Sequence, residues 1–149
     1  GGPGGIVRPG PFLGEGADVP MLPVVTAATG SGASAASQVN SIEANANTPA
    51  ELRSYLVAGA HVYRAGRARA YGGAESEANL SYPSANISYQ PSRTEASAAG
   101  AMVFTLGEAH WWQEGAAKQG FYARIWQRQT GGWRIVYDQL VPWSPPAAQ

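Results

Sequence analysis

Cysteine is missing from this 149-residue chain and histidine occurs only twice. The first absence rules out disulfides, thiolate nucleophiles and Cys-based zinc sites, while leaving the redox compartment open. Two isolated histidines without a spaced carboxylate argue against a metal site. Charge of one sign is also missing: ten Lys and Arg balance ten Asp and Glu. No net field draws in nucleic acid or an anionic membrane, and no Lys/Arg run makes a local exception. No apolar run approaches the roughly 20 residues that cross a bilayer. The chain reads as soluble. It begins at Gly1 rather than Met, which fits an excised fragment or a processed precursor, including a periplasmic or secreted one whose signal has been removed.

What is present divides by composition. Residues 1 to 32 hold "GGPGG", "RPGPF" and "GSG", which interrupt any regular period. They read as an irregular arm, either a leader or a segment docking Ile6, Val7, Phe12 and Leu13 at a sheet edge, where proline is tolerated. From Ala33 the residues Ala35, Val39, Ile42 and Ala46 recur as one face of a helix over 33 to 46. "TPAE" then offers Thr48 as cap, Pro49 at the first helical position and Glu51 to complete a capping box. A second helix is expected over 49 to 58, closed by Gly59.

Alternation in "AHVYRAG" predicts a strand, "RARAYGGAESEANL" is either loop or short helix, and "NISYQ" and "AMVFTLGEAHWW" read as strands. "QEGAAKQG" is expected to supply a flexible hairpin connection. Two further strands, 121 to 129 and 133 to 141, meet at "TGG". In the first, Phe121, Ala123 and Ile125 oppose Tyr122, Arg124, Trp126 and Arg128. In the second, strict alternation sets Trp133, Ile135, Tyr137 and Gln139 against Arg134, Val136, Asp138 and Leu140. Helices first and antiparallel strands afterwards predict an α+β domain.

The stretch "GFYARIWQRQTGGWRIVYDQLVP", residues 120 to 142, resembles the end of SnoaL-like proteins of the nuclear transport factor 2-like superfamily. There a "G-Y-Y-x-R-x-W-x-R" strand, a "G-x-W" turn and an aspartate before a proline close a curved sheet. "ELRSYLVAGAHVYRAGRARAYGG" is similar to the family's second helix and first strand, and "YQPSRTEASAAGAMVFTLGEAHW" to its middle strands. The chain has "AAGAMVFTLG" where many members of the uncharacterised branch have "SGDLGYTYG". The resemblance covers residues 33 to 143 and leaves 144 to 149 as a tail. "VRPGPFLGEG" echoes the family's first-strand region, so the arm is also readable as the remnant of a preceding copy.

The resemblance implies a cone-shaped roll: N-terminal helices packed in the concave face of a curved, mainly antiparallel sheet, with a pocket at the open end. Related folds use that pocket for ketosteroid isomerisation, polyketide cyclisation, dehydration and epoxide hydrolysis, or only bind small molecules or dimerise. Fold alone does not select among these. Proton abstraction beside a carbonyl would need a carboxylate or His in the pocket with an oxyanion donor. The candidates are Asp138, His110 and His61. Asp138 pairs structurally with Arg124 or acts in the pocket, and each His is a base or a packing residue.

Tyr63, Tyr122, Arg124, Trp126 and Tyr137 are the expected ligand-binding walls of the cone. The same aromatics also suit core or a dimer surface. Arg64, Arg67 and Arg69 either hold an anionic ligand at the rim or lie in a solvated loop. "NLS" at Asn79 and "NIS" at Asn86 match the glycosylation acceptor pattern. The reading is therefore a domain that binds a small hydrophobic or aromatic ligand, with no cofactor and with homodimerisation through the sheet. The alternatives are a cofactor-independent isomerase, cyclase or hydrolase, and a non-catalytic interaction domain.

Overall fold

The structure, a computed structural model, describes residues 32–144. The arm expected over 1 to 32 and the tail from 144 fall almost wholly outside the described residues.

Helix α1 spans Gly32–Asn45 and buries Ala35, Val39 and Glu43. Its inward stripe therefore runs at a strict spacing of four, and Ile42, expected on that stripe, is half-buried at its margin. At the next helix the capping box forms as expected, with Glu51 N donating to Thr48 Oγ1 and Glu51 Oε1 accepting from the Thr48 backbone N–H. The helix it starts is short, however: α2 is Pro49–Leu52 and continues as a 3-10 turn, Arg53–Tyr55. Gly59 does not end it. Leu56 already pairs with Ile135, so sheet hydrogen bonds take over where the local signal favoured more helix.

Strand β1 (Leu56–Arg64) leads to α3 (Gly73–Leu80), then β2 (Ser88–Ala96), β3 (Met102–Gln113), β4 (Ala116–Gln129) and β5 (Gly132–Trp143). The sheet order is β1-β5-β4-β3-β2, with β1 parallel to β5 and the other pairs antiparallel. The last hairpin is the antiparallel pair expected from the sequence. The hairpin expected at "QEGAAKQG" forms and is tight: β3 and β4 run through the stretch and turn at Glu114 and Gly115, both at positive φ. Two such residues give the turn whose twist matches the strands it joins. The ambiguous "RARAYGGAESEANL" contains α3. Its Ser76 and Asn79 side chains bond backbone carbonyls of β1, and so lock the helix to the strand. Asn79 is buried and fully engaged, which removes it as a glycosylation acceptor.

The sheet is curved and open, with the helices packed against it, the expected α+β cone. Bulges interrupt the register in β1, between Pro91 and Arg93, and opposite Ile125 and Trp126, and each bends its strand. The last of these corrects the strict alternation expected in β5. Ile125 pairs with Tyr137 and Trp126 with Ile135, so Val136 is the extra residue. Beyond it Asp138 and Leu140 face inward with Trp133 and Ile135, while Tyr137 and Gln139 face outward. The inner face, with Val62, Val103, Trp111 and Trp126, packs on Ala35 and Val39 of α1. Phe104, Ala123, Ile125, Val136 and Tyr137 form a second cluster on the outer face.

Gly107 of β3 lies opposite the bulge of β2. A Cβ there would collide with the Gln90 carbonyl oxygen and lie 2.7 Å from the Tyr122 ring. Gly107→Ala is expected to lower the unfolding free energy by about 2 kcal/mol. Gly59→Ala, where a Cβ meets nothing, should change it by less than about 0.5 kcal/mol. Urea denaturation of both variants checks the contrast.

Candidate functional site

Four charged side chains are buried on the inner side of the sheet: Glu43, Arg64, Arg124 and Asp138, each at most 2% exposed. Arg124 and Asp138 sit opposite each other on β4 and β5, and Arg124 Nε donates to Asp138 Oδ2 at 2.7 Å. Arg64 Nη1, from the end of β1, lies 2.7 Å from the other carboxylate oxygen. On the far side Arg124 Nη1 is 3.1 Å from Glu43 Oε2, a charge contact without aligned hydrogen-bond geometry. Glu43 also accepts from Tyr122 OH at 3.0 Å, Trp126 Nε1 at 2.7 Å and Thr105 Oγ1 at 2.8 Å. One carboxylate on a helix is thus held by donors from two strands. The Arg124 guanidinium lies 4.7 and 4.8 Å from the ring centroids of Tyr89 and Tyr122, within cation–π range.

These contacts fix the protonation states. Burial alone would raise the Asp138 pKa, but the Arg64 and Arg124 guanidiniums hold it below the usual carboxylate range. Burial likewise disfavours charge on Arg124, and Asp138 and Glu43 reverse that and shift its pKa upward. The Tyr122 hydroxyl is pushed well up by burial and by Glu43, so it stays a proton donor. Two carboxylates and two guanidiniums compensate one another, and Asp138 has no spare basicity to offer a substrate.

A cavity of about 230 Å³ lies beside this network, lined by Arg64, Leu140, Trp111, Lys118, and Tyr82 and Pro83 of the segment after α3. Arg64 and Leu140 come from adjacent β1 and β5, and Trp111 and Lys118 from the β3–β4 hairpin. Trp111 is fixed by a hydrogen bond from its Nε1 to Gln113 Oε1 at 3.2 Å. Gln113, Gln119 and Ser144 add polar groups at the margin.

No family model and no curated protein matches the sequence. Among solved structures, a protein of unknown function from Pseudomonas putida KT2440, described as NTF2-like, aligns at 12% identity over 74% of this chain and 88% of that one, with a TM-score of 0.55. An LEH-like epoxide hydrolase of M. tuberculosis aligns at 17% identity over 74% and 84%, with a TM-score of 0.51. SalBIII, an epoxide hydrolase/cyclase-like enzyme of pyran ring formation in the polyether salinomycin, aligns at 13% identity over 72% and 89%, with a TM-score of 0.53. This is the nuclear transport factor 2-like fold.

Within that fold the residues singled out in the sequence separate into three places. Tyr122, Arg124 and Trp126 face inward as expected for the cone's lining, and their polar atoms are engaged by Glu43 and Asp138. Tyr63 and Tyr137 face outward. With His61, Arg69 and Tyr71 they border a crevice of about 10 Å³, room for about one water. Burial pushes the Tyr137 hydroxyl up to about 12, and that hydroxyl donates to Gln139 Oε1. His61 stacks edge-on with Tyr71, and His110 stands half-exposed on the outer face, 3.4 Å from Glu108.

Neither histidine borders the 230 Å³ cavity. Of the three arginines read together, Arg64 enters the core, Arg67 is pinned to Asn79 and lies over the Tyr82 ring, and Arg69 stays near Tyr63. Among the described residues no group of His, Asp and Glu could hold a metal ion, and no helix is long and apolar enough to cross a membrane.

Glu43 and Trp111 were missing from the candidates. Glu43 hides at a helix position where a carboxylate ordinarily means solvent. The legible hint is its place four residues after Val39, in register with Ala35.

Two outcomes follow from the network. Glu43→Gln keeps the shape but strips the charge from four donors, and should cost about 3 kcal/mol by urea denaturation. Because the folded state lowers the Asp138 pKa, its contribution is present above the unfolded carboxylate pKa of about 3.9 and is lost as pH falls through the lower folded value. Stability should therefore stay level from pH 8 to 5 and drop below pH 4. Asp138→Asn, much less stable at pH 7, should show a shallower acid drop.

Proposed function

We propose that this domain binds a small apolar or aromatic molecule in the 230 Å³ cavity at the open end of the cone, without acid–base chemistry by Asp138, His61 or His110. The observation that carries the reading is the separation of the two features. The cavity with aromatic and aliphatic walls, Trp111, Leu140 and Pro142, contains neither histidine, and the acids of the neighbouring core are consumed by arginines. Its size, below the roughly 300 Å³ at which drug-sized pockets begin, suits one ring with a short substituent. The epoxide hydrolase and hydrolase/cyclase-like neighbours share the fold at 17% and 13% identity. They keep an enzymatic role open as the alternative, with chemistry supplied by groups other than Asp138.

Indole N–H resonances test the binding reading, because Trp111 and Trp143 line the cavity and Trp112, Trp126 and Trp133 do not. A panel of one-ring compounds should shift Trp111, while Trp126 and Trp133, tied to Glu43 and Gln38, stay still. Shifts confined to the outward-facing Trp112 would refute it.

The outer face carries the second element of the proposal, a homodimer through the sheet. Trp112, Phe121 and Trp143, 70%, 40% and 43% exposed, share that face, and Phe121 and Trp143 meet edge-to-face. Exposed aromatics of this kind are the side chains from which interface centres are built. Sedimentation equilibrium at micromolar concentration should give a dimer that Phe121→Glu converts to monomer; a monomeric parent chain would exclude it.

A further inference from the structure

We propose that the molecule taken by the cavity carries an anionic head group, a carboxylate, on its apolar body. This deepens the binding reading and rests on it. The ground is the charge on the cavity wall: Arg64 and Lys118 line it, and among the described residues no carboxylate does. Lys118 is the only lysine in the chain. It is exposed at the rim, where a flexible four-carbon stem lets its ammonium reach over the mouth.

Arg64 is 1% exposed and its donors are unevenly satisfied. Nε donates to Tyr82 O at 3.0 Å, and Nη1 donates to Tyr63 O and contacts Asp138. Nη2 makes no aligned hydrogen bond among the described residues, and the guanidinium also interacts with the buried Tyr89 hydroxyl. The cavity lining thus holds a guanidinium anchored to the core and an exposed ammonium.

The sign of the site follows from a short count. Glu43 and Asp138 offset Arg64 and Arg124, leaving Lys118 as the uncompensated charge. Its field acts beside Trp111, Leu140 and Pro142, whose low polarity strengthens it relative to water. A carboxylate fits this donor set, because its two oxygens can face the Lys118 ammonium and the Arg64 guanidinium together. A phosphate dianion would leave charge unmatched. The ring of the ligand would lie against Trp111, whose indole is held in place by Gln113.

The test titrates benzoate and 3-phenylpropanoate into the full chain, with benzamide, benzylamine and phenyl phosphate as controls of matched shape, and follows the Trp111 indole N–H. The carboxylates should bind at least tenfold more tightly than benzamide, weaken with added NaCl, and exceed phenyl phosphate; benzylamine should not bind. Lys118→Glu should lower the preference for benzoate over benzamide at least tenfold, with unmoved Trp126 and Trp133 signals reporting an intact core. Equal binding of benzamide and benzoate, tighter binding of phenyl phosphate, or an unaffected Lys118→Glu variant would overturn the carboxylate assignment and leave the cavity as a neutral-ligand site. No Trp111 shift with any of the compounds would overturn the binding reading as well.

Discussion

The interior of this domain depends on one ionic chain, Glu43 to Arg124 to Asp138 to Arg64. Its first link joins α1 to the sheet, beside half-buried Ile42 and the hydrogen bonds that Gln38 accepts from Trp133 and Arg128 and Asn40 from Thr94, and it matters because the helix is weakly apolar. Its buried apolar residues are Ala35 and Val39, whose burial stabilises by only a few kcal/mol at about 25 cal/mol per Å². A helix so weakly apolar would slide or fray on a curved sheet. The Glu43 carboxylate, gripped by Tyr122, Trp126, Thr105 and Arg124, fixes its position and rotation. Removing any one member leaves the others charged, buried and unmatched, which is where the large cost of a broken interior ion pair arises.

The same chain divides the cone into a closed half and an open half. Glu43, Arg124 and Asp138 fill the closed half with compensated charge, and the Tyr89 and Tyr122 rings pack against Arg124. Arg64 is the member that belongs to both halves: it neutralises Asp138 on one side and borders the cavity on the other. The cavity thereby acquires a buried cation whose charge is offset by Asp138, beside the apolar Trp111, Leu140 and Pro142 and the polar Gln113, Lys118 and Gln119.

Much of the architecture was legible because local and global signals agree. The β4–β5 hairpin has strong alternation and a glycine turn, α1 a clear helical period, and Thr48 through Glu51 a complete cap. The misses are places where tertiary structure outweighed local pattern. The helix begun at Pro49 gives way at Leu56 to pairing with β5, and the extra Val136 reverses the facing of Tyr137 and Gln139 relative to simple alternation. The site was legible only in part. Arg124 with Asp138 could be read from two facing strands, but Glu43 lies 81 positions before Arg124, and nothing local marks its side chain as buried. Arg64 reads as one of three similar arginines until β1 is seen to end at the cavity, and Trp111 reads as one of a Trp pair until the strand's facing is known.

A double-mutant cycle between Glu43 and Arg124 tests most directly whether charge holds the helix to the sheet. Glu43→Leu, Arg124→Met and the double variant, compared by urea denaturation at pH 7, should show a coupling energy above about 2 kcal/mol, with the double variant more stable than Arg124→Met alone. Additive effects within about 0.5 kcal/mol would contradict the account, and would mean that α1 is held by its apolar contacts.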